Sequence, residues 1–108
     1  MDLDTKEDLL AAARDMADCG LVEGTAGNLS ARLEGGLVAL TPASLDYRAM
    51  QLSDLVITEM AGGIVEGHRK PTTEMALHLA CLGEHPEIGA VVHCHALFAS
   101  MFAVNREP

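Results

Sequence analysis

Apolar and polar positions follow two kinds of spacing along this chain, one typical of helices and the other of strands. A helix is predicted over residues 5–19, because one face at helical spacing carries Leu9, Ala13, Met16 and Ala17. Thr5 and Asp8 predict a capping box at its start, and Gly20 is a typical residue just beyond a helix end. The acidic residues around its start suit the positive end of a helix dipole.

Short apolar runs separated by glycine-rich turns follow this helix and predict four strands in two hairpins. The predicted strands are 29–32, 37–41, 55–58 and 64–66. The turns are predicted at Glu34-Gly35-Gly36 and at Ala61-Gly62-Gly63.

The remaining segments predict a helix, a strand and a final helix. Pro71-Thr72-Thr73-Glu74 opens the first of these helices, with either threonine as N-cap. Residues 75–82 are apolar except for His78, which predicts a buried helix. Residues 90–95 predict a buried strand and residues 96–104 a further helix. Hairpins and the lack of a GxGxxG motif favour a layered α/β or α+β domain over a doubly wound parallel sheet.

Composition narrows the classes of function. The 108 residues are 49% hydrophobic, enough for one domain with a core, and 7 Lys+Arg against 16 Asp+Glu give a net charge of −9. This charge argues against general binding to nucleic acid or an anionic membrane. No apolar run is long enough to span a bilayer, and the acidic N-terminus is unlike a signal peptide. Three cysteines without a CxxC motif predict reduced thiols in the cytoplasm.

The strongest chemical signal is His93-x-His95. On a strand both rings face one side, roughly 6.6 Å apart along the chain, and two imidazoles there can converge on zinc or a related ion. The alternative is one exposed and one hydrogen-bonded core histidine.

Glu74 stands in the first turn of an otherwise apolar helix, directly after two hydroxyl residues. Thr72, Thr73 and the free amides of a helix N-terminus can bind an anion. Beside them Glu74 can serve as a general acid/base or a labile third metal ligand, although a carboxylate at a helix start is also common for its dipole alone. His78, one turn later, is either a partner of Glu74 or a core histidine.

Two loops of small residues complete the candidate site. Gly27-Asn28 and residues 41–44 allow backbone amides to approach an anion. Ordinary turn chemistry explains the same residues, and neither loop matches a P-loop.

Four motifs together resemble the class II aldolase/adducin family, in order and spacing, over essentially the whole chain. They are Gly24-Thr25-Ala26-Gly27-Asn28-Leu29-Ser30, Thr41-Pro42-Ala43-Ser44, Pro71-Thr72-Thr73-Glu74 and His93-Cys94-His95.

The resemblance implies an α/β/α-layered fold, a mostly antiparallel sheet flanked by helices, and a divalent metal, usually zinc. His93 and His95 would be metal ligands, and Glu74 the acid/base and also a ligand in the resting site. The phosphate of a sugar substrate would be lined by Gly27, Asn28, Ala43, Ser44, Thr72 and Thr73. The family further implies a cytosolic homotetramer acting in carbohydrate metabolism.

Two features depart from the family pattern. The second loop usually carries a hydroxyl residue and then glycine, whereas this chain has Ala43-Ser44. The chain is also about half as long as family members, and the third histidine ligand has no counterpart after His95. We therefore expect residues 1–108 to be the N-terminal portion of a single truncated class II aldolase-like domain.

The expected reaction is metal-dependent aldol cleavage of a sugar phosphate or a related hydroxy-carbonyl sugar. Epimerisation, dehydration or decarboxylation on the same scaffold remain alternatives, as does a non-catalytic adducin-like module. A cupin site, which also uses HxH, would need a glutamate shortly after it, and residues 96–104 contain none.

Overall fold

The computed structural model describes residues 2–18 and 27–93. Two helices and five strands follow one another in this part of the chain, with short 3-10 turns between some of them. In chain order they are α1 (Asp2–Asp18), β1 (Asn28–Arg32), β2 (Leu37–Leu40), β3 (Val56–Glu59), β4 (Ile64–Glu66), α2 (Met75–Glu84) and β5 (Ala90–His93). The 3-10 turns are Glu34–Gly36, Tyr47–Ala49 and Leu52–Asp54.

The five strands form one sheet in the order β4-β3-β2-β1-β5, and every neighbouring pair is antiparallel. Strand β1 therefore has a partner on each side: Ser30 faces Leu40 of β2, and Asn28 faces His93 of β5. Helix α1 packs on one face of the sheet and α2 on the other. The predicted α/β/α layering and mostly antiparallel sheet are confirmed.

The face of α1 predicted from helical spacing is the buried one. Its residues join the inward side chains of β1, β2 and β3 in one apolar cluster, which includes Leu9, Ala13, Met16, Ala17, Leu29, Ala31, Ala39 and Ile57. The predicted capping box is wrong, because the helix already begins at Asp2 and Thr5 lies inside it. Asp2 and Asp4 occupy the first turn instead, where the helix dipole favours negative charge.

Helix α2 buries one face only, so the prediction of a buried helix is wrong. Its apolar contacts are to Val38 and Leu40 of β2, whereas Leu77 is 42% exposed. A single helix lying on a sheet keeps its outer face free, whatever the polarity of its residues. The two fully buried positions, His78 and Leu82, are one turn apart and face the sheet.

The strand predicted as buried over residues 90–95 is assigned over Ala90–His93 and is largely exposed. Within the described ranges it lies at the end of the sheet, and its α1-side face borders an open cavity lined in part by Leu9, Ala12 and Val92. Val92 is therefore 57% exposed. The final helix predicted over residues 96–104 lies outside the described residues, as do the predicted Gly20 stop and the last two residues of this strand.

Arg32, at the end of β1, anchors the C-terminal end of α2. Its guanidinium donates to the carbonyl oxygens of Leu82 at 2.7 Å, His85 at 3.2 Å and Ile88 at 3.1 Å. Carbonyls at a helix end lack partners within the helix and carry the negative end of its dipole, so a cation there is stabilising. None of the helices in the described ranges combines the length and apolarity that a bilayer crossing requires.

A buried carboxylate connects the loop before β3 to the loop after β4. Asp54 accepts hydrogen bonds from Arg69 Nε at 2.6 Å and from the Gln51 backbone N–H at 2.8 Å. His68 Nε2 lies 3.5 Å from Asp54 Oδ1. The hydrogen bond from Arg69 is the main reason that the pKa of Asp54 lies below its ordinary value, and the Gln51 N–H adds to the effect.

Asp54→Asn is expected to lower the free energy of unfolding at pH 7 by about 1–2 kcal/mol, because charge-assisted hydrogen bonds are lost. A depressed pKa stabilises the fold above the unfolded-state pKa, and this contribution disappears as the pH falls through the folded-state value. The difference between wild type and variant should therefore narrow below about pH 4.

Urea unfolding at pH 7, 5 and 3 measures this difference. Asp18→Asn is the matched control, since Asp18 pairs with Arg48 while both side chains are about two-thirds exposed. That exposed pair should contribute less than about 0.5 kcal/mol. Equal losses for the two variants, or a loss at Asp54 independent of pH, would contradict the assignment.

Candidate anion and metal site

One small polar cavity lies where the loop before β1, the loop after β2 and the start of α2 meet. It measures about 240 Å³. All six residues predicted to line a phosphate border it, together with Pro42: Gly27, Asn28, Ala43, Ser44, Thr72 and Thr73. None of these lining residues carries a charge, so the cavity offers hydroxyl, amide and backbone groups only.

Two of the loops are joined by backbone hydrogen bonds. Thr72 N–H donates to the Thr41 carbonyl at 3.0 Å, and Ala43 N–H donates to the Lys70 carbonyl at 2.9 Å. Pro42 and Pro71 form an isolated antiparallel bridge between these bonds. The loop after β2 and the segment leading into α2 thus behave as one short ribbon, which holds their side chains on the same cavity.

The third loop is anchored by a buried tyrosine. The Tyr47 hydroxyl donates to the Gly27 carbonyl oxygen, and Tyr47 is 1% exposed. Burial raises the pKa of the Tyr47 phenol, and a hydrogen bond with the Thr41 side chain opposes this shift. Thr41 Oγ1 also accepts from the Leu29 N–H at 3.1 Å. These contacts position the start of β1 against the end of β2.

Two residues at the cavity have left-handed backbone conformations. Gly27 has φ 82°, which only glycine adopts without strain, and Ser44 has φ 57°. Ser44 is the only non-glycine residue with a positive φ among the described residues. The serine stands where the family pattern has glycine, so the backbone keeps the conformation that a glycine would favour.

The start of α2 differs in detail from the prediction that a threonine is its N-cap. Glu74 occupies the N-cap position, with no hydrogen bond from its side chain to the helix. The Thr72 hydroxyl instead accepts from the Glu74 N–H at 3.3 Å. Because the Glu74 carboxylate does not cap the helix, its acceptor atoms remain available for other chemistry.

His78 lies one turn into α2 and is fully buried against β1. Its Nε2 is 2.5 Å from Asn28 Oδ1, and its Nδ1 is 2.6 Å from Ser30 Oγ. Burial lowers the pKa of His78, the nearby His93 lowers it further, and Glu74 opposes both effects. His78 is therefore a core histidine with distant partners, one of the two possibilities left open by the sequence.

His93 and Glu74 both lie close enough to His78 for their charges to act on its ring. His93 is opposite Asn28 in the β1–β5 register, on the α2 side of the sheet. The other predicted ligand, His95, lies outside the described residues. Within the described ranges no group of three or more His, Cys, Asp or Glu side chains could hold a metal ion.

Reasoning from the sequence missed the supporting residues of the site. Tyr47 is the only tyrosine in the chain and stands in a polar segment, which indicates a phenol with a specific buried partner. The isolated His78 in an apolar helix gave a similar signal, but its partners are 48 and 50 residues away. Such long-range pairs leave no local pattern.

Comparisons with known proteins identify aldolases and epimerases as relatives. The chain is 37% identical over 99 residues to 5-deoxy-D-ribulose 1-phosphate aldolase of Bacillus thuringiensis serovar kurstaki, covering 91% of this chain and 46% of that protein. It is 38% identical over 99 residues to L-ribulose-5-phosphate 4-epimerase of Salmonella paratyphi B, covering 91% of this chain and 43% of that one. The chain thus spans about half the length of the curated relatives it matches.

Solved structures of aldolases also resemble this chain. An L-fuculose 1-phosphate aldolase superposes with a TM-score of 0.88 at 34% identity, over 96% of this chain and 50% of that chain. The L-fuculose 1-phosphate aldolase from Glaciozyma antarctica PI12 gives a TM-score of 0.85 at 28% identity, over 95% of this chain and 44% of the other. The class II aldolase fold is therefore confirmed.

The family model "Class II Aldolase and Adducin N-terminal domain" matches residues 7–108, nearly the entire chain. With the fold and the relatives above, this match shows that the chain belongs to the class II aldolase and adducin family.

Proposed function

We propose that this chain is part of a metal-dependent lyase that cleaves a sugar phosphate by a retro-aldol reaction. Residues 1–108 would form the N-terminal portion of the domain, in line with their coverage of about half of each relative. The observation that carries the proposal is the uncharged polar cavity lined by all six predicted phosphate residues.

The cavity suits the phosphate of a sugar. Ser44, Thr72 and Thr73 offer hydroxyl donors, and Gly27 allows the backbone to approach closely. The adjacent N-terminus of α2 adds a favourable dipole for an anion. Neutral donors of this kind can bind phosphate even though the whole chain carries a charge of −9.

A divalent metal, here proposed to be zinc, would be held by His93 and Glu74 together with His95. Imidazole and carboxylate are the donor types that zinc and its first-row neighbours accept, so the described part of the donor set fits. Because a catalytic zinc usually has three protein ligands, the described residues supply an incomplete set. When bound, such a metal polarises a carbonyl group as a Lewis acid.

Glu74 would carry the proton. It follows directly after two residues of the cavity wall, and its carboxylate makes no hydrogen bond to the helix. A phosphate held by Thr72 and Thr73 would place the rest of the sugar chain beside that carboxylate. Cleavage of a carbon–carbon bond next to a hydroxyl group requires a base for the hydroxyl proton and an acid for the carbon left behind, and Glu74 can serve in both roles.

Epimerisation is the second candidate reaction, because the chain is 38% identical to an L-ribulose-5-phosphate 4-epimerase. Both reactions would use the same phosphate cavity and the same proton carrier. They differ in whether the carbon–carbon bond is re-formed before the product leaves. Analysis of the products from a panel of ketose phosphates separates aldol cleavage from epimerisation, dehydration and decarboxylation.

We also propose that the protein is cytosolic and forms a homotetramer. Cys81 is a free thiol in the described part of the chain, in line with a reducing cytosol. A homotetramer is proposed from the family resemblance, and multi-angle light scattering of the purified protein would test it.

Thr73→Val should weaken the binding of inorganic phosphate to the chain by about three- to tenfold, because one hydroxyl donor to the anion is lost. Thr73 is exposed on the cavity wall, so the fold should tolerate the change. Titration calorimetry measures the affinity. Thr58→Val is the control for the same substitution, since Thr58 is not among the residues that line the cavity. Equal affinities for wild type and Thr73→Val would argue against a phosphate site here.

Zinc is expected to bind the chain weakly, and His93→Ala should abolish even that binding, because an imidazole ligand is removed. Equilibrium dialysis with zinc alone measures it. His85→Ala is the control, since His85 pairs with Glu87 at the far end of α2. Tight stoichiometric binding would contradict the incomplete ligand set. Binding that persists in His93→Ala would contradict the assigned ligand.

Glu74→Gln should reduce turnover at least about 100-fold while phosphate binding is retained, because the amide cannot carry the proton. We suggest a chimera in which residues 1–108 replace the matching half of the Bacillus aldolase, assayed with 5-deoxyribulose 1-phosphate. The unmodified chimera serves as the reference for folding and activity. Near-normal turnover of the Glu74→Gln chimera with metal bound would refute the role of Glu74.

A further inference from the structure

The ring of His78 has two buried polar contacts, one of them with the side-chain amide of Asn28. The ring is fully buried between α2 and β1, with Nε2 2.5 Å from Asn28 Oδ1 and Nδ1 2.6 Å from Ser30 Oγ. Asn28 itself is 7% exposed, and it belongs to the wall of the polar cavity. One side chain thus connects the core of the protein to the candidate anion site.

The chemistry of the three groups assigns the protons. An amide oxygen only accepts hydrogen bonds, so Nε2 of His78 is the nitrogen that carries a proton. A neutral imidazole has one N–H, which leaves Nδ1 as an acceptor. The Ser30 hydroxyl, whose hydrogen can rotate, therefore donates to Nδ1.

This arrangement has a consequence for the cavity. With the oxygen of Asn28 engaged by the ring, the NH₂ group is the half of the amide left to face the other side. An NH₂ group donates to a phosphate oxygen, whereas an amide oxygen in the same place would repel it.

We propose that His78 is a positioning residue that holds the Asn28 amide with its NH₂ group toward the cavity, where it donates to an oxygen of the bound anion. This inference rests on the proposed phosphate site and adds a specific donor to it. Loss of the ring would let the amide rotate, and part of the population would then present its oxygen to the anion.

The wild-type chain alone provides the first test. Long-range ¹H–¹⁵N NMR spectra distinguish the two neutral tautomers of a histidine, and the Nε2–H form is expected for His78. Addition of inorganic phosphate should shift the side-chain NH₂ signals of Asn28. A proton on Nδ1 would overturn the proposal, because Nε2 would then have to accept from the Asn28 NH₂ group.

A double-mutant cycle provides the second test. His78→Phe should weaken phosphate binding by roughly tenfold in the wild-type background, as expected for the loss of one hydrogen bond to a charged group. In the Asn28→Ala background the same change should have little effect, because His78 acts only through Asn28. His78→Gln, whose amide can still donate to Asn28, should restore part of the affinity.

His85→Phe is the control: it is the same substitution at an exposed position directly after the same helix. Thermal unfolding of each variant monitors folding. Where His78→Phe does not fold, Ser30→Ala replaces it, since loss of the donor to Nδ1 frees the tautomer and should weaken phosphate binding to a smaller extent.

The measurements distinguish a failure of the positioning role of His78 from a failure of the proposed phosphate site. If the wild-type chain does not bind phosphate, the phosphate site is wrong and the positioning role falls with it. If wild type binds and His78→Phe binds equally well, only the role of His78 is wrong. An equal loss in the wild-type and Asn28→Ala backgrounds would also overturn it, since His78 would then act by another route.

Discussion

The buried hydrogen bonds of His78 to β1 are the constraint on which the geometry of the candidate site depends. Apolar contacts alone would allow α2 to rotate or slide on the sheet at little cost, because they are not directional. An imidazole without partners in the core would cost about 1–3 kcal/mol, so the ring must find Ser30 and Asn28. This selects one rotation of the helix. The same rotation brings Thr72 and Thr73 to the cavity beside Gly27.

The cavity is formed without charged side chains, and two arginines of the described residues are engaged in structural hydrogen bonds. Arg69 is bound to the buried Asp54, and Arg32 holds the C-terminal end of α2. An anion in the cavity would therefore be held by the directions of hydroxyl, amide and backbone donors rather than by a general positive field. Such a site discriminates between anions by their shape, but its affinity is sensitive to small movements of the loops. The ribbon between Thr41 and Thr72 and the anchor from Tyr47 to Gly27 limit such movements.

Local patterns predicted the elements of the fold well and their burial less well. Helical spacing identified the buried face of α1, and the glycine turns identified both hairpins, because these signals depend on neighbouring residues. Burial of α2 and β5 was overestimated, since an apolar residue such as Leu77 or Val92 is compatible with an exposed face. Loop and helix-start chemistry marked the six cavity residues as candidates but left ordinary turns as an alternative, and only the family resemblance assigned them to one phosphate site. Their support by His78 and Tyr47 depends on contacts far apart in the chain, which no local pattern encodes.

Ser44 has a left-handed backbone conformation, which is unfavourable for a residue other than glycine. A left-handed backbone is unfavourable for a residue with a Cβ atom by roughly 1–2 kcal/mol, and a glycine would avoid this cost. The surrounding structure nevertheless holds the turn, because Ala43 is bonded to Lys70 and Thr72 to Thr41 on the same ribbon. The serine in turn supplies a hydroxyl group to a wall where Ala43 has none. The hydroxyl is shifted by one position relative to the family pattern, but the cavity still has a hydroxyl donor, carried on a left-handed backbone.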